Sequence, residues 1–304
     1  MTTVIQILFN SLRLGSIVAL ATLGIVLIFR TSKATNFAQG SIGTVNAYIA
    51  AYFSMTVGLS IWVSMLIAMG TAFLTGVVID KLFIRPAAKA NPVSKQILTL
   101  GIIMILVGVM NSTIGILNDI FPSVTIRPEP FFPASRRINI LGAGIELNTI
   151  FIFTLTTILM GVVYFFIQKT KWGLATRATA SNEPIARLMG VPTKTITMFS
   201  WAFAAMLGTI AGIALAPRTG MNPNLLLTVQ ISAFFAAVFG GFTTFFGPVF
   251  AAYLLGFFIS FGGYIFSQMG SRSIFAEIVV YTLVLVILYF KPYGLFGKPP
   301  VRKV

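Results

Sequence analysis

From residue 219 to residue 271 the chain reads TGMNPNLLLTVQISAFFAAVFGGFTTFFGPVFAAYLLGFFISFGGYIFSQMGS, with no Asp, Glu, Lys or Arg in it. A helix that crosses the hydrocarbon core of a bilayer needs about 20 apolar residues. The stretch is long enough for two crossings, interrupted at Gly240-Gly241 and Gly247-Pro248. Backbone groups in lipid find no water, so spanning segments are helices or closed barrels. The run is too long and too continuously apolar for the alternating ten-residue strands of a barrel. It reads as helix.

The same reading extends in both directions. Residues 34–79 are also free of charge and hold two further crossings. Residues 96–118, 147–168 and 195–217 hold one each. Val4–Phe29, with Arg13 inside it, and Ile274–Phe290, with Glu277 inside it, complete the set. The expectation is an all-α, polytopic transmembrane bundle of eight to nine spans, one domain over residues 1–304. The count turns on Leu225–Phe239, which either crosses or only dips into the membrane. The first apolar run has no basic stretch before it and continues for a full span, so no cleaved leader is expected.

Composition agrees. The 304 residues are 57% hydrophobic and 9% charged, with a mean hydropathy of +0.95. A soluble chain of this length needs more polar surface to cover its core. There is no cysteine for disulfides or thiolate metal sites, and no histidine for general-base chemistry or zinc. No catalytic residue, metal or cofactor is expected. The net charge of +15, from 21 basic and 6 acidic residues, would suggest nucleic acid in a soluble domain. Here it suggests cytoplasmic loops rich in Lys and Arg, and no nucleic-acid partner. With the N-terminus outside and the C-terminal tail inside, the outer loops carry only Arg127, Arg136, Arg137, Arg218 and Arg272. Arg13 lies within a span. The other basic residues, including Lys298, Arg302 and Lys303 of the tail, fall on the inner side.

Two loops stand out. The outer one, 117–148, contains Pro122, Pro128, Pro130 and Pro133 and so is no long helix. It reads as a solvated connector or as part of a docking surface for an extracytoplasmic partner. The inner one, 169–197, contains Ser181-Asn182-Glu183-Pro184-Ile185-Ala186-Arg187-Leu188-Met189-Gly190-Val191-Pro192. Ser181 or Asn182 can cap a helix, Pro184 suits its first turn, and Glu183 complements its dipole. Gly190 and Pro192 end it. Ile185, Leu188 and Met189 share one face, while Arg187 points elsewhere. A helix of about two turns is not stable alone. Its apolar face rests on the bilayer surface, on the protein's own helix ends, or in a groove on a cytoplasmic partner.

Four stretches, in order along the chain, carry a resemblance. They are Gly15 through Gly24 followed by Asn36-Phe37-Ala38-Gln39-Gly40; Arg85-Pro86; Arg177 through Val191; and Phe239-Gly240-Gly241 with Gly247-Pro248 and the tail Lys291-Pro292-Tyr293-Gly294-Leu295-Phe296-Gly297. Along nearly its whole length the chain resembles the LivH-type permease subunit of branched-chain amino-acid ABC importers. That resemblance implies an inner-membrane subunit forming half of a translocation pathway beside a second, LivM-like permease. It implies two cytoplasmic ABC ATPase subunits and a periplasmic substrate-binding protein. Residues 117–148 would be periplasmic, and 169–197 would be the cytoplasmic coupling loop. Asn182, Glu183, Ile185, Ala186, Arg187, Leu188, Met189 and Gly190 would form the helix that seats in the ATPase. The chain lacks a G-x-x-x-x-G-K-[ST] phosphate loop of its own. It departs from the family in having Gln39 where His is usual and Ser41 where an acid is frequent. Related permeases take urea and short amides, so the substrate is open.

Within the spans, Arg13 and Glu277 are the charges that need an account. Their depths match if both lie toward the outer side, so they form an intramembrane pair or each snorkels outward. Asn36, Gln39 and Asn46 line the pathway or bond backbone groups freed at a helix break. Gly40, Gly240, Gly241 and Gly247 mark a discontinuous helix of the kind found at transport sites, or else close packing through small residues. An ion-coupled secondary transporter is the competing class, but it needs a titrating acid near mid-membrane, and Glu277 lies close to one side.

Overall fold

A computed structural model describes residues 2–120, 126–140, 142–242, 244–270, 272 and 274–297. Pro122 and the tail residues Lys298, Arg302 and Lys303 lie outside the described residues.

Helix α1 (Thr2–Ser32) is the axis of the molecule. Between Ser11 and Ile28 nearly every side chain is buried, whichever way it points. A helix that is apolar all round belongs in the interior of a bundle, and α1 is enclosed by its neighbours. Those neighbours are α2 (Gln39–Met55), α5 (Leu147–Lys169), α8 (Thr193–Thr219), α9 (Leu227–Gly240) and α10 (Phe246–Gln268). Outside them lie α3 (Ile61–Ile79), α4 (Pro92–Ile120) and α11 (Ile274–Phe290). α3 continues through a π-helical turn, Asp80–Ile84.

Between lipid-soluble helices the hydrophobic effect supplies little, and close approach through small residues supplies the packing. α8 shows this. Ala202, Ala204, Ala205, Gly208, Ala211 and Gly212 are buried along it. A Cβ on Gly76 of α3 would lie 2.6 Å from the Ala202 Cα, and one on Gly43 of α2 would lie 2.6 Å from the Gly208 carbonyl oxygen.

Among the described residues six helices are long and apolar enough to cross a membrane: α1, α3 with its π turn, the first part of α4, α5, α8 and α10. α9 and α11 are shorter apolar helices of 14 and 17 residues, and α2 has 17. The chain is a multi-pass helical membrane protein.

The all-α expectation needs one correction. The loop before α5 holds an antiparallel hairpin, β1 (Arg137–Ile140) with β2 (Ala143–Glu146), in the register Arg137↔Glu146 and Ile138↔Ile145. Gly142, at φ +83°, makes the turn. In β2 the side chains alternate, with Ala143 and Ile145 buried as period two requires. The 169–197 loop holds more helix than its capping signals announced, since α6 (Lys171–Ser181) precedes the short α7 (Glu183–Leu188).

Candidate functional site

At the end of the bundle that carries the inner loop, α7 is held by its own polar residues. The Asn182 side chain accepts a hydrogen bond from the Ile185 N–H at 3.2 Å, which caps the helix. Arg187 pairs with Glu183 at 2.8 Å, one turn apart. Thr193, in the first turn of α8, donates to the same carboxylate at 3.4 Å. Gly190 leaves the helix at φ +78°, where a side chain would be strained. Ala186 is 4% exposed and anchors the inner face, and the Val191 N–H returns to its carbonyl. On the opposite face Ile185, Leu188 and Met189 are 53%, 87% and 79% exposed. Three apolar side chains on a capped two-turn helix present an uncovered surface.

Behind α7 lies Arg85, at the end of the π turn. Its guanidinium pairs with the buried Asp80 at 3.2 Å and donates to the Lys194 carbonyl at 3.5 Å. It therefore ties the end of α3 to the start of α8. Asp80, Arg85, Glu183, Arg187 and Lys194 share one small polar cavity of about 50 Å³. Nearby, burial and the neighbouring Arg30 pull the Lys33 ammonium below the usual lysine range.

Deeper in, α1 stops at Ser32 and α2 starts at Gln39, and the backbone groups freed between them are met by side chains. Asn36 accepts from the Ala38 N–H at 2.9 Å and donates to Gln39 at 3.3 Å. Gln39 donates to the Ala204 carbonyl of α8 at 2.5 Å. It sits in a slot between two glycines. A Cβ on Gly24 would lie 2.5 Å from its amide nitrogen, and one on Gly208 would lie 2.9 Å from it. Gln230 of α9 clamps the same turn, accepting from the Gly40 N–H and donating to the Phe37 carbonyl. Asn46 donates to Ile42 and accepts from Thr71 of α3, both at 2.9 Å. Gln230 was not among the residues singled out from sequence. The signal for it was there, because it is the one polar amide in an otherwise apolar span.

Beside this break, between α2, α4 and α9, lies a cavity of about 260 Å³. Its walls are mostly apolar, such as Ile103 and Phe234. Gly40, Ser41, Thr44 and Asn224 add a few polar groups. A ligand cavity of modest size has this composition.

Gly240, Gly241 and Gly247 form a close crossing. A Cβ on Gly240 would collide with the backbone of Gly247 and Pro248, and one on Gly247 with the Gly240 carbonyl oxygen. Gly241 turns at φ +90°. The tail folds over this junction, with the Leu295 N–H donating to Phe239 at 2.7 Å.

The structure does not bring Arg13 and Glu277 together. Arg13 faces Arg218 and Glu146, which pair with each other at 3.4 Å. Glu277 is in the first turn of α11, whose main packing is on α10. α10 also lies against α1 and so stands between the two charges. Among the described residues no ion pair joins them. Matching depth along two helices set no lateral distance.

A family model described as the branched-chain amino acid transport system permease component matches residues 7–289. The high-affinity branched-chain amino acid transport system permease protein BraD of Pseudomonas aeruginosa is 28% identical, over 99% of this chain and 98% of that one. The probable branched-chain amino acid transport permease protein LivH of Methanocaldococcus jannaschii is 28% identical, over 96% of this chain and 92% of its own. LivH of Escherichia coli is 25% identical over 99% of this chain and 97% of that protein. Among solved structures, PsaBC from Streptococcus pneumoniae in complex with Fab covers 92% of this chain and 90% of that one, at a TM-score of 0.48 and 14% identity.

Proposed function

The chain belongs to the branched-chain amino acid transport system permease family, and from that premise we propose that it is the membrane subunit of an ATP-driven importer. Its substrates are branched-chain amino acids or related small polar solutes. It forms half of the pathway beside a second permease, takes substrate from a periplasmic binding protein, and has its ATP hydrolysed by two separate cytoplasmic subunits. α7 is the element that meets an ATPase. The observation carrying this reading is the apolar face of Ile185, Leu188 and Met189, exposed on a helix that its own cap and ion pair hold rigid. An apolar face that the protein does not bury fits a groove on another chain.

Nine crossings then come from the six long helices together with α2, α9 and α11. The N-terminus is outside, and α6, α7 and the tail are cytoplasmic in the inner membrane. Movement of α7 reaches α8 through the Glu183–Thr193 bond, and from there α3 through the Lys194 carbonyl, Arg85 and Asp80. Asn36, Gln39 and Gln230 hold the break between α1 and α2 rigid. The cavity bearing Ser41 and Thr44 supplies pathway wall, apolar enough for a branched side chain.

Labelled-leucine uptake tests the reading, in cells with and without the gene. Gene-dependent uptake should fail when ATP is depleted and survive when the proton gradient alone is collapsed. Uptake lost with the gradient while ATP is maintained would replace it with a secondary transporter. Gene-dependent uptake of urea or short amides in place of leucine would keep the mechanism and change the substrate.

A further inference from the structure

Between α5, α6 and α8 lies a cavity of about 440 Å³ that none of the polar networks reaches. Its walls are apolar side chains such as Leu159, Phe166, Phe203 and Ile210. Only Thr176 and Ser200 bring hydroxyls, and each already donates to a carbonyl of its own helix at 2.9 Å. Beyond the Trp172 indole N–H at one end, the cavity offers a polar solute little to bind. It opens where Val162, Phe166 and Phe203 are exposed on the outside of the bundle. Along α8 its lining runs from Ile196 to Ile210, about 21 Å at 1.5 Å per residue. That is more than one leaflet of a hydrocarbon core about 30 Å thick, and the cavity volume lies within the range of small-molecule sites.

One end is distinct. Trp172, an interfacial type of residue, lines the cavity and is itself exposed, with exposed Lys169 and Lys171 beside it in sequence. Between Leu147 and Asn182 the chain has no acidic residue, so neither lysine has a carboxylate on α5 or α6. A groove as long as a leaflet, apolar throughout, with an indole and two ammonium groups at the end that meets the headgroups, has the chemistry of a phospholipid.

We propose that this cleft binds an anionic phospholipid from the leaflet on the coupling-loop side, with one acyl chain between α5 and α8 and the phosphate at Lys169 and Lys171. The lipid would brace α6, and through it the base of α7. The proposal needs the helices to lie in a membrane and does not depend on the transported substrate or the energy source.

The test uses the complete complex purified from membranes, read by native mass spectrometry after exchange into bilayer discs of phosphatidylethanolamine with or without phosphatidylglycerol. Phosphatidylglycerol should be retained in preference to phosphatidylethanolamine. The exposed double change Lys169→Gln/Lys171→Gln should weaken its retention at least ~10-fold, since each basic group near an anionic surface contributes measurably. Ser200→Phe, which puts a ring into the cleft, should abolish retention at this site. Inorganic phosphate alone should not compete. Equal retention of both lipids, or retention unchanged in the lysine variant, would overturn the proposal, and so would displacement by phosphate. The chain has no cysteine, so a single Val162→Cys adds a further readout. Labelling by a lipid-soluble maleimide is expected, and quantitative cross-linking to the second permease would overturn the proposal by putting protein at the mouth.

Discussion

At the scale of the residue, Gln39 shows how a polar side chain is used inside an apolar bundle. Its amide spans from Asn36 to the Ala204 carbonyl and fits because Gly24 and Gly208 lack side chains. Gln39→Ala leaves the amide of Asn36 and a buried carbonyl short of a partner, which costs about 1–3 kcal/mol. Gly24→Ala should cost a similar amount by pushing Gln39 out of its slot. Thermal unfolding of the purified complex reads both, and an unchanged midpoint for Gln39→Ala would show that the break does not need the amide. Arg13 and Glu277 give a second expectation. They sit on either side of α10, so the losses from Arg13→Leu and Glu277→Leu should add to within ~0.5 kcal/mol in the double variant. A double variant much more stable than that sum would restore the direct pair. Glu146, which faces Arg13 together with Arg218, is the residue whose loss should couple to that of Arg13.

At the scale of the element, the short α7 was legible because its start and stop are local chemistry. Asn182, Pro184 and Gly190 act within a few residues of themselves, and the structure uses Asn182 and Gly190 as cap and exit. The long spans were legible from apolar runs almost free of charge, with Arg13 inside the first of them. The hairpin was not, because the four prolines of its loop outweighed the short alternation of residues 143–146, and two four-residue strands carry a weak pattern. α6 was missed because a helix lying beside a bundle has no uncharged run to mark it. Which glycines serve as turns and which as crossings also lay beyond sequence, since Gly240 depends on Gly247, and Gly241 on a tail some fifty residues further on. Two predictions belong here. Gly240→Ala and Gly247→Ala should each overpack the crossing between α9 and α10 and lower stability by about 1–3 kcal/mol. That would appear as lost yield and an earlier melt, and full stability in both would mean that the junction yields easily. Leu188→Ser/Met189→Ser should do the opposite, leaving the melt of the isolated permease unchanged while lowering co-purification of the ATPase. Loss of stability in this variant would mean that the face is needed for the fold after all.

At the scale of the whole molecule, the question is how many of the helices cross. The six long ones alone return the chain to the side on which it started. α9, at 14 residues, is about 21 Å long, and α2 and α11, at 17, are about 25 Å. All three fall short of a core about 30 Å thick, so none crosses without help from its flanks. Each has such help. α2 is extended by the bonded turn at Asn36 to Ala38, and α9 by the turn that ends at Leu226 and by the folded tail beyond Gly241. α11 is followed by that tail, beginning at Lys291. Crossing by all three gives nine spans and places the basic excess on one side, as the distribution of Lys and Arg requires. The absence of cysteine makes this measurable. Thr2→Cys and Lys291→Cys, placed singly, should be labelled by a membrane-impermeant maleimide from opposite sides, Thr2→Cys in intact cells and Lys291→Cys only in inverted vesicles. Labelling of both from the same side would make the count even and leave α9, the shortest of the three, as a segment that enters the membrane and returns. The cavity between α2, α4 and α9 would then stand at the edge of a re-entrant helix instead of between spanning helices, and the pathway would have to be sought along the other face of α2.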